Sequence, residues 1–185
     1  MMGIQIPAQM VSVYLLFFYT DVMRLNPRWA AIALTGYAFY NAVNNPLIGY
    51  LSDRTDTRWG RRLPYLRFGT LPWLLIFGAL WLAPFNGNEQ PFLLLTYMII
   101  GIVLYDAIGT AVSTSYYSLM PEMFPTYEER TDVAVRMNIF LIVALLMGVA
   151  LPPIIAEAIG WDNMGMVFAG IAIVVAYIGY TAMFE

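Results

Sequence analysis

Cysteine, histidine and lysine are all absent from this chain of 185 residues. The lack of cysteine and histidine excludes disulfides, thiolate nucleophiles, imidazole bases and the usual zinc ligands. Charged residues are scarce as well: they make up 11% of the chain, whereas a soluble domain carries about a quarter. Hydrophobic residues account for 61%, which is typical of a protein that lies in the lipid bilayer. With a net charge of −3, the chain offers no basic surface for nucleic acid.

Six apolar segments are each long enough to cross a bilayer, which takes about 20 residues. The first lacks the positively charged start and the small-residue cleavage site of a signal peptide, so we expect it to remain as a helix. We therefore predict an all-α membrane protein in which residues 1–185 form a single six-helix transmembrane lobe, with spans at about 3–23, 29–51, 64–84, 91–119, 135–158 and 164–184. Pro152-Pro153 should kink the fifth span.

Arginine supplies all the side-chain positive charge, and its distribution predicts the orientation. Most arginines follow the second or the fourth span, namely Arg54, Arg58, Arg61, Arg62, Arg67, Arg130 and Arg136. Arg24 and Arg28 fall on the opposite side. Because cytoplasmic loops are enriched in basic residues, we expect a multi-pass protein of the cell (inner) membrane with both termini in the cytoplasm.

Polar side chains inside the spans recur at helical spacing and form stripes. They are Gln5, Gln9, Ser12 and Tyr19 in the first span, Tyr37, Asn41, Asn44 and Asn45 in the second, and Asp106, Thr110, Ser113 and Tyr117 in the fourth. The fifth span opens with Arg136 and Asn138, whereas the third and sixth have little that is polar at depth. The stripes favour a wet cavity lined by four helices, with the other two packed outside it. The alternative is that these residues hold helices together by hydrogen bonds.

Asp106 is the carboxylate that the spans place deepest in the hydrocarbon. Burying it ionised would cost several kcal/mol, so it must face water, pair with a cation or stay protonated. It is a candidate proton or cation site, or an acceptor for a substrate hydroxyl. The alternative is a structural pair with Arg136 or with a neighbouring amide, and both interpretations remain open.

Four segments resemble one family of transporters. The longest is Asn45-Pro-Leu-Ile-Gly-Tyr-Leu-Ser-Asp-Arg-Thr-Asp-Thr-Arg-Trp-Gly-Arg-Arg-Leu-Pro64, and the others are Phe18-Tyr-Thr-Asp-Val22, Tyr117-Ser-Leu-Met-Pro-Glu122 and Glu128-Glu-Arg-Thr131 with Arg136. Together they resemble the glycoside–pentoside–hexuronide:cation symporters, the melibiose-permease-like branch of the major facilitator superfamily. The resemblance implies the N-terminal six-helix half of a twelve-helix transporter, with substrate between the halves, and it leaves open whether Met1 is the native start.

The polar stripes and the resemblance together give the candidate site residues. Those for a sugar or another small polar solute are Gln5, Gln9, Ser12, Ser113, Tyr117 and Arg136, and those for a coupling Na⁺ or H⁺ are Asn41, Asn44, Asn45, Asp106 and Thr110. The family's acidic residues on helix two fall here on Asn41 and Asn45, and its sugar-binding carboxylates fall on Gln5 and Ser113. An all-amide site would hold sodium weakly, which makes Asp106 the candidate substitute anion. Beyond such an ion, no metal or cofactor is expected.

The connection between the second and third spans is predicted to act as a gating loop. Its residues are Gly49, Asp53, Arg54, Arg58, Gly60, Arg61 and Arg62. Gly49 would permit close helix contact, and Asp53 would form charge-assisted pairs with the arginines that break and re-form during transport. The alternative is a basic loop that only sets topology.

Three classes of function follow from these patterns. The first is a secondary active transporter that moves a sugar or glycoside-like solute by alternating access, with cation-coupled symport. The second is a truncated or split subunit, inactive by itself, that needs a C-terminal half or a homodimer partner. The third, a membrane enzyme, lacks the metal, nucleophile or acid–base pair that such an enzyme requires, so we do not expect an enzyme.

Overall fold

The computed structural model describes residues 2–55, 57, 62–124 and 126–184, of which 2, 53, 120–122 and 181–184 are described by their backbone alone. The described residues are almost entirely helical, without a strand among them. The helices are α1 (Met2–Phe17), which continues into a π-helical turn (Phe18–Val22), α2 (Pro27–Arg54), α3 (Leu63–Trp81), α4 (Pro91–Met123), α5 (Tyr127–Ile159) and α6 (Trp161–Phe184).

Helices lie at each of the six predicted spans, and four of those described are long and apolar enough to cross a membrane. These four stretches are Leu63–Trp81, Pro91–Leu119, Tyr127–Ile159 and Trp161–Tyr180. The α-helical part of α1 has only 16 residues, fewer than the roughly 20 that a span requires. Helix α2 has 28 residues, but its asparagines and terminal arginines reduce its apolar character. The chain is therefore an integral membrane protein with four evident spanning helices.

Local sequence signals explain where several helices begin and end. The Asn26 side chain accepts a hydrogen bond of 2.9 Å from the Arg28 backbone, and Pro27 follows at the first helical position. Thr126 and Glu129 form a reciprocal capping box at the start of α5. Gly160, with a φ of +89°, separates α5 from α6. Helix α5 runs through Pro152-Pro153 as one continuous element.

Helices α3 and α6 form the packed side of the lobe. Helix α3 packs against α4 and α6, α1 packs against α5 and α6, and α2 packs against α4. Helix α4 approaches α3 closely at Gly109, which has no Cβ. A Cβ built there would lie only 2.5 Å from Trp73 Nε1. At the other side of α4, Asp106 and Thr110 contact α2. The third and sixth helices thus lie away from the polar stripes of α2 and α4.

Candidate functional site

Asp106 of α4 is held by two donors from α2. The Tyr37 hydroxyl donates to Asp106 Oδ1 at 2.9 Å, and Asn44 Nδ2 donates to Asp106 Oδ2 at 2.9 Å. Tyr37 and Asn44 are seven residues apart, which places them on the same face of α2 two turns from each other. The Asn44 side chain is only 4% exposed. Each carboxylate oxygen therefore has its own hydrogen-bond donor, Tyr37 for Oδ1 and Asn44 for Oδ2.

The amides of α2 continue this network towards Thr110. Asn44 Nδ2 also lies 3.4 Å from Thr110 Oγ1, which in turn donates to Asn45 Oδ1 at 3.5 Å. Asn45 Nδ2 donates to Asn41 Oδ1 at 2.8 Å. The structure thus brings all the candidate cation residues into one connected group. Its atoms are carboxylate, amide and hydroxyl oxygens, the ligands that hard cations prefer, with a single anion among them.

The two structural alternatives for Asp106 have different outcomes. A pair with a neighbouring amide is present, because Asn44 donates to the carboxylate. Arg136, by contrast, is an exposed residue near the start of α5. Among the described residues, there is no group of three or more carboxylates, histidines or cysteines that could hold a metal. A cation at this place would be bound by Asp106 together with the oxygens of its amide neighbours, so Asp106 remains a candidate cation ligand.

A cavity of about 390 Å³ lies between α1, α2 and α4 on the Tyr37 side of Asp106. Its polar lining comes from Ser12, Tyr37, Tyr105 and Asp106. Its other walls are aliphatic, formed by Ala8, Val11, Leu15, Leu16, Leu34 and Ile102. Asp106 and Tyr37 belong both to this cavity and to the hydrogen-bond network, so the carboxylate is shared between the two.

The candidate substrate residues are placed in several environments. Ser12 lines the cavity, whereas Gln5 Nε2 donates to the Tyr117 hydroxyl at 2.8 Å in a contact between α1 and α4. A Cβ at Gly148 of α5 would lie 3.0 Å from Gln9 Cβ, so Gln9 faces that helix.

The other candidates contribute less to a common site. Ser113 Oγ donates to the Thr110 carbonyl at 3.2 Å within α4, and Arg136 is exposed. Tyr19, assigned above to the stripe of the first span, is fully buried and donates to the Leu80 carbonyl at 3.0 Å. It therefore secures the end of α1 against α3 and does not line the cavity.

Tyr105 is a residue of the site that the sequence reasoning missed. It lines the cavity beside Asp106, and its ring stacks on Trp73 with centroids 5.4 Å apart. Its hydroxyl is buried and has no hydrogen-bond partner among the described residues. A buried hydroxyl in that state is unusual in folded proteins. Its position next to Asp106 was the available signal, but a tyrosine in an apolar helix usually indicates packing.

The predicted gating loop is described only in part. Arg58, Gly60 and Arg61 lie outside the described residues, as does the side chain of Asp53. The Arg54 guanidinium lies over the Tyr50 ring, 4.4 Å from its centroid, and Arg62 donates to the Ser118 carbonyl of α4. Around a Cβ built on Gly49, no described atom lies within 4 Å apart from the adjacent residues and the backbone of the same helix. The close helix contact expected at Gly49 stays a prediction.

Comparison with known proteins gives a consistent answer. The family model described as "MFS/sugar transport protein" matches residues 1–185. An uncharacterized symporter of Synechocystis is 37% identical over 75% of this chain and 25% of its own length. The isoprimeverose transporter of Lactiplantibacillus pentosus is 26% identical over 91% of this chain and 36% of its own length. The sodium-dependent lysophosphatidylcholine symporter 1-A of Danio rerio is 30% identical over 73% of this chain and 25% of its own length.

The chain therefore spans between a quarter and about a third of the length of these curated relatives. The match over the whole chain, together with symporters among the relatives, confirms the family that the loop motifs indicated. Its members are transporters, so the chain is not an enzyme. The protein belongs to the MFS/sugar transport family, in its glycoside–pentoside–hexuronide symporter branch.

Proposed function

We propose that this chain forms one lobe of a secondary active transporter that moves a sugar or glycoside-like solute by alternating access, coupled to a cation. The observation that carries the proposal is the shared position of Asp106. One of its oxygens accepts from Tyr37 at the cavity, and the other accepts from Asn44 in the amide network. Because one carboxylate borders both the cavity and the amide network, the binding of a solute in the cavity would depend on the binding of a cation in the network.

The coupling ion is assigned to the group around Asp106. Asp106 supplies the only charge of this group, and Asn41, Asn44, Asn45 and Thr110 supply neutral oxygens. Sodium would use these oxygens as ligands, whereas a proton would be carried by Asp106 itself. Both ions require the carboxylate, so its removal should abolish coupling in either case.

We further propose that all six helices span the membrane, with both termini in the cytoplasm of the cell's inner membrane. Helix α1 and its π-helical turn together cover Met2–Val22, which matches the roughly 20 residues that a span requires. The 28 residues of α2 extend over about 42 Å at 1.5 Å per residue. The surplus of arginine after the second and fourth spans supports this orientation. Labelling of single cysteines introduced at Asn88 and Thr126 would test it, and external labelling of Thr126→Cys would refute it.

The proposed activity is tested by reconstituting the complete transporter in liposomes. Uptake of radiolabelled neutral glycosides is measured under an inward sodium gradient, under an inward proton gradient and without a gradient. We expect accumulation with at least one of the two gradients, and its loss when that gradient is collapsed by an ionophore. Uptake that only equilibrates under every condition would refute cation coupling, although it would leave facilitated transport intact.

A second candidate function is a subunit that needs a partner, either a C-terminal half or a second copy of the chain. The supporting observation is the exposure of Asn45, Tyr117 and Arg136, polar groups on three different helices. Facing lipid, these groups would lose hydrogen bonds to water at a cost of several kcal/mol. Native mass spectrometry of protein released from nanodiscs should show this lobe with a partner, and an uptake-competent monomer would contradict that expectation.

A further inference from the structure

We propose that α5 contains a hinge at Pro152-Pro153 and that the Tyr14 side chain of α1 holds this hinge closed. The hinge divides α5 into an inner segment, residues 127–151, and an outer segment, residues 154–159, named for the orientation proposed above. The contacts that support the inference lie among α1, α3, α5 and α6, within this lobe. It therefore depends neither on the identity of the solute nor on that of the coupling ion.

The two prolines remove two consecutive hydrogen bonds from the backbone of α5. In an α-helix, the N–H of each residue donates to the carbonyl four residues before it, and proline has no N–H. The carbonyls of Gly148 and Val149 therefore lose their usual helical donors, although α5 remains helical through Pro152-Pro153. Because helices bend most readily at proline, this turn is the point at which α5 can flex.

The Tyr14 hydroxyl supplies one of the two missing donors. It donates to the Val149 carbonyl, which is the carbonyl that Pro153 leaves without a backbone partner. An unpaired carbonyl is costly inside a membrane, so a side chain from a neighbouring helix that satisfies it stabilises the helix at that turn. The two helices are close here, because a Cβ built on Gly148 would lie 3.0 Å from Gln9 Cβ.

The Tyr14 ring contacts the chain on the other side of the hinge. Its centroid lies 5.8 Å from that of Trp161, the first residue of α6, which follows the outer segment after Gly160. Trp161 in turn stacks on Trp81 of α3, with centroids 6.0 Å apart. One side chain thus holds α5 before the prolines through its hydroxyl and the far end of the outer segment through its ring. Bending at the hinge away from α1 would break at least one of these two contacts.

The hinge concerns the transport site because α1 also forms a wall of the cavity. Ser12 and Leu16 line the cavity, and Tyr14 lies between them in the sequence and reaches α5. Because Tyr14 ties this wall to α5, the outer segment and the wall move together while its hydrogen bond is intact. Release of the hydrogen bond would let them move independently, with the prolines absorbing the change in backbone angle.

The inference is tested by hydrogen–deuterium exchange on the complete transporter in nanodiscs, read by mass spectrometry. We expect Tyr14→Phe to speed exchange of residues 154–159 by about 3- to 10-fold, because loss of one hydrogen bond shifts a local opening equilibrium by that order. Residues 137–147, which precede the prolines, should exchange as in the native protein. Tyr177→Phe is the matched control, since it makes the same chemical change at a residue that is 39% exposed on α6.

The proline variants distinguish a hinge from a contact that merely stabilises the fold. Pro153→Ala restores a backbone N–H that can donate to the Val149 carbonyl, so Tyr14→Phe should no longer speed exchange in that background. Pro152→Ala restores the donor for Gly148 instead, so the effect of Tyr14→Phe should persist. Pro153 is exposed, so its replacement removes little packing. Pro153→Ala alone should slow exchange of the outer segment, which tests the hinge even where Tyr14→Phe does not fold.

Four results would overturn the inference. They are unchanged exchange of residues 154–159 in Tyr14→Phe, an equal acceleration of residues 137–147, an undiminished effect of Tyr14→Phe in the Pro153→Ala background, and unchanged exchange in Pro153→Ala alone. The second would indicate general loosening of the lobe, and the third would show that the hydroxyl does not replace the donor that Pro153 lacks. No solute or cation gradient enters these measurements, so their failure would leave the proposed transport function intact.

Discussion

Replacement of Asp106 by asparagine removes the charge of the candidate site while preserving its shape. In the native protein, Tyr37 and Asn44 each donate to one carboxylate oxygen at 2.9 Å. An asparagine keeps one oxygen, which can accept from Asn44 Nδ2. Its amide nitrogen would then face Tyr37, whose hydroxyl can rotate and accept. Asp106→Asn therefore tests the charge itself, because both hydrogen bonds can be retained.

The expected effect on cation binding follows from Coulomb's law. A carboxylate and a sodium ion about 4 Å apart attract by about 4 kcal/mol at an effective dielectric constant of about 20. Asp106 is half-buried beside an open cavity, so hydration reduces this to about 2 kcal/mol. Sodium binding should therefore weaken by about 30-fold. Unfolding free energy should change by only about 1 kcal/mol, because weaker hydrogen bonds are offset by relief of a half-buried charge.

The assay is sodium binding by isothermal titration calorimetry, followed by sodium-driven uptake in liposomes. Asp21→Asn is the matched control, because it makes the same change at an exposed residue outside the network. We expect Asp21→Asn to bind sodium like the native protein, and Asp106→Asn to bind it about 30-fold more weakly and to lose accumulation. If Asp106→Asn keeps native sodium affinity and cation-dependent uptake, the assignment of Asp106 as the substitute anion is wrong. Thermal unfolding of both variants guards against a folding defect.

Three further changes test the contacts around this site and the lobe that supports it. Tyr37→Phe should weaken sodium-dependent glycoside binding, measured by calorimetry, by about 10-fold, because it removes the hydrogen bond to the Asp106 carboxylate. Tyr40→Phe is the control and should have little effect, because it removes only a long hydrogen bond of 3.4 Å to the Val103 carbonyl. Gly87→Ala should lower the unfolding free energy in detergent by about 1–3 kcal/mol, because the added Cβ would clash with the Arg24 backbone. Gly36→Ala is the control and should be neutral or stabilising, because its Cβ would enter open space on a helix. Thr126→Ala should cost about 1 kcal/mol in the same measurement through loss of the capping box.

The positions of the helices were predictable because each apolar segment lies between short polar breaks. The end of the first helix was less accessible to such reasoning. The π-helical turn Phe18–Val22 depends on tertiary contacts, among them the bond from Tyr19 to the Leu80 carbonyl. Helical spacing placed Tyr19 in a polar stripe, but burial against α3 determines which way its ring points. A pattern along one helix cannot reveal this, because the contact involves a second helix.

The members of the candidate cation site were also predictable, since Asn41, Asn44 and Asn45 recur on one face of α2 and Thr110 lies one turn after Asp106. Their pairing was not predictable. Whether Asp106 meets an arginine or an amide depends on the rotation of α4 about its axis, and the contact between Gly109 and Trp73 constrains that rotation. The candidate substrate residues do not meet in one group for the same reason, and their role stays a prediction. Gln9, for example, faces α5 at Gly148.

The hydrogen-bond donors and acceptors of the site indicate what kind of ligand it can receive. The hydroxyl of Tyr37 and the amide groups of Asn44 and Asn45 already donate within the network. Among the described residues, each side-chain oxygen that accepts in it takes one hydrogen bond from the network, although carboxylate and amide oxygens each have two lone pairs. Oxygens with a spare lone pair can bind a cation or accept a hydrogen bond from a solute hydroxyl. Asp106 is the only carboxylate of this network and would repel an anion placed beside it, so the proposed site suits a cation better than an anion.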